Sequence, residues 1–288
     1  MNLFLILSLF MLQGDPVSAA ERAGTLTSIP PQRIVSLAPS LTEILFAIGL
    51  DREIAGVTEF CDFPPAARKK PKVGGMMMNP NLESIVAMKP DKVLAVKGFN
   101  SPDLLDRLKR LDIPVSELEF RSLEDIFTGI MEIGRITGRD KAARKLVDRM
   151  KVRIQVLHER MTHHPKRPRV FYVISMNPPM TVGPGSFIQE MIEKAGGVNL
   201  MKDAPNPYPL FNLEEVMVRN PDIILFSSEI GIRYEELIQQ WARWDRITAV
   251  STHRLFEMDA DLIDRPGPRI VEGLETLTGM FYDETVNP

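Results

Sequence analysis

A single cysteine, Cys61, stands in the 288 residues, so no internal disulfide is available. Histidine is nearly as scarce: His158, His163, His164 and His253 lack the spacing of a zinc site or of a Cys/His catalytic pair. Cys61 is therefore expected to be a small buried hydrophobe. No G-x-S-x-G occurs, and His253 is the only histidine outside the central stretch, which weighs against the enzymatic alternative, a secreted α/β hydrolase. The formal net charge is −3 and the basic residues are dispersed, so an electrostatic footprint for nucleic acid is missing as well. We expect no catalytic residue and no metal site. What is present in quantity is apolar residue, 44% of the chain, enough for one large or two medium cores.

Long hydrophobic runs are also lacking. The stretch Leu3–Leu12 is too short to span a bilayer. It is followed by Gly14-Asp15-Pro16 and by Val17-Ser18-Ala19-Ala20, the pattern of a cleaved secretory signal over residues 1–20, although the usual positive charges ahead of the apolar run are absent. No cysteine sits at the cleavage point, so the expectation is a free periplasmic protein rather than a lipid-anchored one.

From Arg33 onward strand and helix signals alternate, which predicts an α/β protein with parallel sheets. "SLTEILFAIG" reads as a helix opened by a capping box, Ser40 capping and Glu43 reaching back, and closed by Gly49. "NLESIVAMKPDKVLAV" (81–96) and "NLEEVMVRNPDIILFS" (212–227) are the same helix-to-strand unit: Asn81, Leu82, Glu83, Pro90, Asp91 and Leu94 recur as Asn212, Leu213, Glu214, Pro221, Asp222 and Leu225. Two lobes of similar plan account for the repeat, 33–138 and 165–288. Between them Asp140–His163 contains no Gly or Pro and carries Ala143, Leu146, Met150, Ile154 and Leu157 at helical spacing. One helix there, within an interlobe segment 139–164, would reach about 36 Å at 1.5 Å per residue and hold the lobes nearly fixed.

Ligands of open α/β sheets bind at loops that follow the strands. The loops here are proline-stiffened and rich in methionine and aromatics: Phe60 and Phe63 in 58–64, Met76, Met77 and Met78 in 73–81, Met176 and Met180 in 175–186, Tyr208 and Phe211 in 204–212. They suit a broad hydrophobic ligand with polar edges. "DADLIDRPGPRIVEGLE" (259–275) sets Asp261, Asp264, Arg265 and Arg269 around a Pro-Gly-Pro turn; Arg265 would clamp a carboxamide or phosphate edge, Asp261 would accept a hydrogen bond, and Arg269 would pair with a structural acid. Gly183-Pro184-Gly185 is a possible anion-binding turn without the lysine of a phosphate loop. Glu83 and Glu214 have two readings left open by the residues themselves: partners of their own helix dipoles, or matched prongs for a symmetric basic partner.

In this order "RIVSLAPSLTEILFAIG", "FCDFPPAA", "NPNLESIVAMKPD", "NPPMTVGPGSFIQEMIEKAGG", "NLEEVMVRNPD" and "RPGPRIVEGL" resemble the cobalamin-binding periplasmic proteins of ABC importers, within the helical-backbone receptors for cobalamin, haem and iron–siderophores. The resemblance covers residues 33 to about 281. It implies two Rossmann-like lobes joined by one rigid helix, a corrinoid bound as transported ligand rather than as cofactor, and docking of Glu83 and Glu214 on a permease dimer by a receptor that is monomeric when free. Carried over by position, it implies aromatic ligand contacts at Phe60 and Tyr208 and polar ones at Asp261 and Arg265. Met76-Met77-Met78 stands where the cobalamin proteins supply a tryptophan, so haem or an iron–siderophore is the alternative ligand, with Tyr208 as the tyrosine for haem iron.

Overall fold

The structure is a computed structural model that describes residues 30–74 and 80–282. The signal-like segment and Met76, Met77 and Met78 lie outside the described residues. In chain order the first half contains β1 (Ile34–Ser36), α1 (Pro39–Ala47), β2 (Ile54–Val57), α2 (Leu82–Ala87), β3 (Lys92–Val96), α3 (Pro102–Arg110), β4 (Val115–Leu118) and α4 (Leu123–Thr137). Its strands form one fully parallel sheet in the order β2-β1-β3-β4. Helix α5 (Asp140–Thr162) follows. The second half comprises β5 (Arg169–Met176), β6 (Pro179–Thr181), α6 (Phe187–Lys194), β7 (Val198–Asn199), α7 (Leu213–Arg219), β8 (Ile223–Ser227), α8 (Tyr234–Trp241), α9 (Thr248–Ser251), β9 (Leu255–Met258), α10 (Ala260–Ile263) and α11 (Ile270–Tyr282). Here β7, β8 and β9 extend the sheet of β5 in parallel, and only β6 runs antiparallel to it.

Side chains divide by the strand period of two. In the first sheet Val35, Val93 and Ala95 pack outward under α2 and α3, while Ile34, Leu94 and Val96 face inward. In the second sheet Phe171, Val173, Ile224 and Phe226 pack with Trp241, and Val170, Tyr172, Ile223 and Leu225 face the other way. The two inward faces join one continuous cluster through α1, α4, α5, α6 and α11. From Pro31 onward the chain is accordingly a single compact unit. Helix α5 contributes Ala143, Leu146, Val147, Met150, Ile154 and Met161 to its buried stripe.

The duplicated unit is duplicated in backbone chemistry too. Asn81 caps α2 through the Ser84 amide at 2.7 Å, and Asn212 caps α7 through the Glu215 amide at 2.7 Å. The residues that end these helices, Lys89 and Asn220, both take left-handed conformations, φ 47° and 49°. Asp91 accepts from the Arg33 amide at 3.0 Å, as Asp222 does from the Arg169 amide at 2.7 Å. Each arginine in turn donates to the carbonyls that end the helix, Arg33 to Met88 and Arg169 to Arg219. Pro-Asp therefore recurs because it ties strand start to helix end; it is architecture.

One local expectation is corrected. Helix α1 begins at Pro39, with Ala38 at the cap and no side-chain cap, so Ser40 and Glu43 form no capping box. Pro39 has the fixed φ suited to the first helical position, which starts the helix before Ser40 and turns Glu43 into the interior.

The approach of α4 to α5 depends on Gly134, where an added Cβ would lie 2.5 Å from the Cβ of Ala143. Gly134→Val is expected to lower the unfolding free energy by about 1–3 kcal/mol through overpacking. Thermal and denaturant unfolding check this, and an unchanged midpoint would contradict the close helix contact.

Candidate ligand-binding cleft and docking surface

The loops that leave the carboxyl ends of β1, β2 and β3 meet those that leave β8 and β9. They enclose a cavity of about 410 Å³ whose lining includes Ala38, Phe60, Phe99, Glu229, Asp264 and Arg265. Cys61 fixes the β2 loop: it is buried, and the hydroxyls of Thr42 and Thr58 lie 3.1 Å from its sulfur. Lys72 draws in the same loop through the Thr58 and Cys61 carbonyls. With Cys61 anchored inward, the flanking Phe60 and Asp62 are carried outward, and Phe60 is 43% exposed at the cavity.

On the opposite wall Asp259 caps the short α10, and the Ser228 hydroxyl accepts from the Ala260 amide. One turn then presents Asp261, Asp264 and Arg265 together. Arg265 bonds Asp261 at 2.5 Å on its own turn and Asp62 at 2.8 Å across from it, and it lies 3.6 Å from Glu43. Arg269 holds Glu43 with two bonds, 2.7 and 3.0 Å, and reaches Asp261 at 3.5 Å. Its guanidinium also stacks over Phe63 at 4.2 Å. Residues from α1 and the β2 loop are thus tied to the segment leading into α11. Burial pushes the Glu43 carboxyl above its ordinary range despite Arg269 and Arg265. For Asp62, burial acts upward but the hydrogen bond and charge of Arg265 prevail and hold it below the usual value.

Asp264 has a different environment. Tyr172 donates to its Oδ1 at 2.9 Å and Ser227 to its Oδ2 at 3.0 Å, but among the described residues no cation pairs with it. Burial, opposed by these two bonds and reinforced by the charges of Glu229 and Asp259, pushes its pKa up to about 6. Burial and the charge of Asp264 also raise the Tyr208 phenol.

Of the sequence-predicted contacts, the cavity brings together Phe60, Asp261 and Arg265. Met180 sits in β6, paired with Ser175, and Tyr208 is half exposed on the loop beside it; neither lines this cavity. Phe211 is instead a core side chain, edge-on to Phe171 at 5.0 Å, because β6 and Leu210 draw its loop onto the sheet. The Gly183–Gly185 turn is likewise taken up by packing: the Gly183 amide donates to the Pro207 carbonyl, and Ser186 caps α6. Asp62, Phe99, Glu229 and the Tyr172–Ser227 pair were not singled out from sequence. Asp62 carried a signal in its place beside Phe60 on a post-strand loop; the others are joined to the cavity only by the tertiary fold. Arg269 does pair with a structural acid, as expected.

Glu83 and Glu214 stand in the first turns of α2 and α7, both exposed and with no hydrogen bond or ion pair among the described residues. The contrast with Glu215, one residue on, is sharp: it pairs with Arg219 at 2.9 Å. Val218 beside Glu214 is 86% exposed. Among the described residues no group of three or more His, Cys, Asp or Glu is placed to hold a metal ion, and no helix is long and apolar enough to cross a membrane.

Residues 34–262 match the periplasmic binding protein family, and the chain belongs to it. It is 31% identical over 248 residues to a vitamin B12-binding protein of Vibrio cholerae, covering 85% of this chain and 87% of that one. The crystal structure of the periplasmic vitamin B12-binding protein of that organism superimposes with a TM-score of 0.77 at 28% identity, covering 88% of this chain and 97% of that one. An uncharacterized ABC transporter substrate-binding lipoprotein of Bacillus subtilis is 33% identical, covering 88% of this chain and 81% of that one. A solved structure described as a possible iron-binding periplasmic protein of Staphylococcus epidermidis has a TM-score of 0.79 at 31% identity, covering 88% and 99%. The fold is thus an α/β one built on two largely parallel sheets and many helices, as expected.

Arg269→Met, which leaves Glu43 buried without its partner, is expected to cost about 3–5 kcal/mol, and Glu43→Leu with Arg269→Met to recover most of it. Denaturant unfolding of the two variants decides this; a double variant as unstable as the single one would contradict it. The raised Asp264 pKa carries its own signature. Between the ordinary 3.8 and about 6 the folded state holds a proton that the unfolded state has released, so stability from this group falls as pH rises, by about 3 kcal/mol in all. Unfolding midpoints across pH 3.5–7 should show that Asp264→Asn removes this slope, and an unaltered slope would refute the assignment.

Proposed function

We propose that this member of the periplasmic binding protein family captures cobalamin or a related corrinoid in the cleft and delivers it to an ABC importer. The observation that carries the choice of ligand is the charge of the cleft. Among the residues that line the cavity the carboxylates of Glu229, Asp261 and Asp264 outnumber the guanidinium of Arg265, which is itself engaged by Asp62 and Asp261. A corrinoid presents apolar ring edges and neutral amides. Haem presents propionates and most siderophores anionic oxygens, which such a wall repels. Similarity to the Vibrio cholerae vitamin B12-binding protein supports the same ligand; the Staphylococcus epidermidis relative supports an iron compound as the second reading.

Within this reading Phe60 offers the corrin a flat apolar contact, and Met76, Met77, Met180 and Tyr208 extend it along the cleft. Asp261 and Arg265 meet its polar edge after exchanging part of their mutual bonding. Glu83 and Glu214 engage basic residues of a permease dimer; their exposure and freedom from internal partners support this role over a purely local one. A free, monomeric, periplasmic receptor without cofactor or catalytic step completes the proposal.

Calorimetric titration with cyanocobalamin, haem and a ferric siderophore tests the ligand. One-to-one binding of cyanocobalamin alone is expected; haem or siderophore bound in its place would overturn the corrinoid reading while leaving the family intact. Glu83→Lys or Glu214→Lys is expected to weaken association with the reconstituted importer by about tenfold or more with ligand affinity nearly unchanged. Equal loss of both would refute the separation of roles.

A further inference from the structure

Two acids that line the cleft, Asp264 and Glu229, stand outside the ion-pair network among the described residues, and of these Asp264 is held in place by side-chain hydrogen bonds. Asp264 adjoins Arg265 in sequence, yet Arg265 is turned to Asp62 and Asp261. The groups that face Asp264 are Tyr172 from β5, Ser227 and Glu229 from β8 and its loop, Asp259 from the turn before α10, and the Tyr208 phenol from its loop. None of them is a cation. A carboxylate has about four acceptor positions, and Tyr172 and Ser227 take one on each oxygen. Those two bonds fix the orientation of the group, and the cavity that Asp264 lines receives what remains of its accepting capacity.

Resting on the corrinoid reading, we propose that Asp264 is a specificity-determining contact, a carboxylate held by Tyr172 and Ser227 that accepts N–H from a peripheral amide of the ligand and rejects a ligand bearing a carboxylate at that point. An amide there satisfies the accepting capacity that Tyr172 and Ser227 leave open on a half-buried carboxylate. A carboxylate there offers no donor and meets the charges of Asp264 and Glu229, while Arg265 on the same wall is directed to Asp62 and Asp261. The cleft therefore distinguishes a fully amidated corrinoid from the acid form that precedes amidation or follows amide hydrolysis, two molecules of nearly the same shape.

The test compares cyanocobalamin with its monocarboxylate derivatives, each with one peripheral propionamide hydrolysed to the acid, at neutral pH. Wild-type protein is expected to bind at least one isomer about 10- to 100-fold more weakly than cyanocobalamin, and Asp264→Asn is expected to reduce that penalty to about threefold or less while leaving the ratios for the other isomers unchanged. Should that variant not fold, as judged by circular dichroism, Asp264→Ser provides the same readout. Equal affinity of the wild type for all isomers would overturn the proposal, as would a penalty that survives loss of the carboxylate. Failure of folded wild-type protein to bind cyanocobalamin at all is a different result: it would remove the corrinoid reading, and this inference with it.

Discussion

The two-pronged bond between Glu43 and Arg269 is the constraint on which the cleft depends. Glu43 lies in the first helix and Arg269 just before the last, 226 residues apart, and the pair is almost wholly enclosed. An acid so buried is costly unless it is matched in geometry and charge. Matching it fixes where the last helix begins and therefore where the turn bearing Asp261, Asp264 and Arg265 stands. The second arginine then reaches Asp62 beside the aromatic Phe60. Two loops that start on different sheets are joined by charge at the place where apolar packing gives way to the cavity.

This arrangement separates two tasks. The apolar interior continues from one sheet to the other through α1, α4, α5, α6 and α11, so the relative position of the halves is set by close packing as well as by ions. The proposed ligand contacts fall on the loops past the strand ends, outside the bulk of that packing. The proposed docking residues occupy a third region, the first turns of α2 and α7, whose backbones are copies of one another down to the caps and the left-handed end residues. Duplicated geometry presents Glu83 and Glu214 in equivalent local settings, a natural match for a two-fold partner.

Much of this was legible in sequence because it rests on short-range chemistry. Asn81 and Asn212 announce helix starts, Pro102 takes the first position of α3, and α5 follows from an apolar stripe uninterrupted by Gly or Pro. The Ser40–Glu43 motif was misleading for a physical reason: Pro39 starts the helix before Ser40, and Glu43 then turns inward to the distant Arg269. Phe211 was misplaced because a proline-rich loop can fold back as an extra bridge to β6 as easily as it can face a ligand. The setting of Asp264 was beyond local reading altogether. Its partners Tyr172 and Ser227 lie 92 and 37 residues away, and nothing in "DLIDRPGP" distinguishes it from Asp261.

On the proposed reading, a cleft held by packing and by buried charge receives its ligand with little rearrangement. A crystal structure of the complex with cyanocobalamin, compared with one of the free protein, addresses it most directly. The expected result is a corrin ring against Phe60, an intact Glu43–Arg269 pair, and backbones that superimpose within about 1 Å. Rotation of one sheet against the other with that pair broken, or a ligand seated away from Phe60 and Asp264, would contradict it.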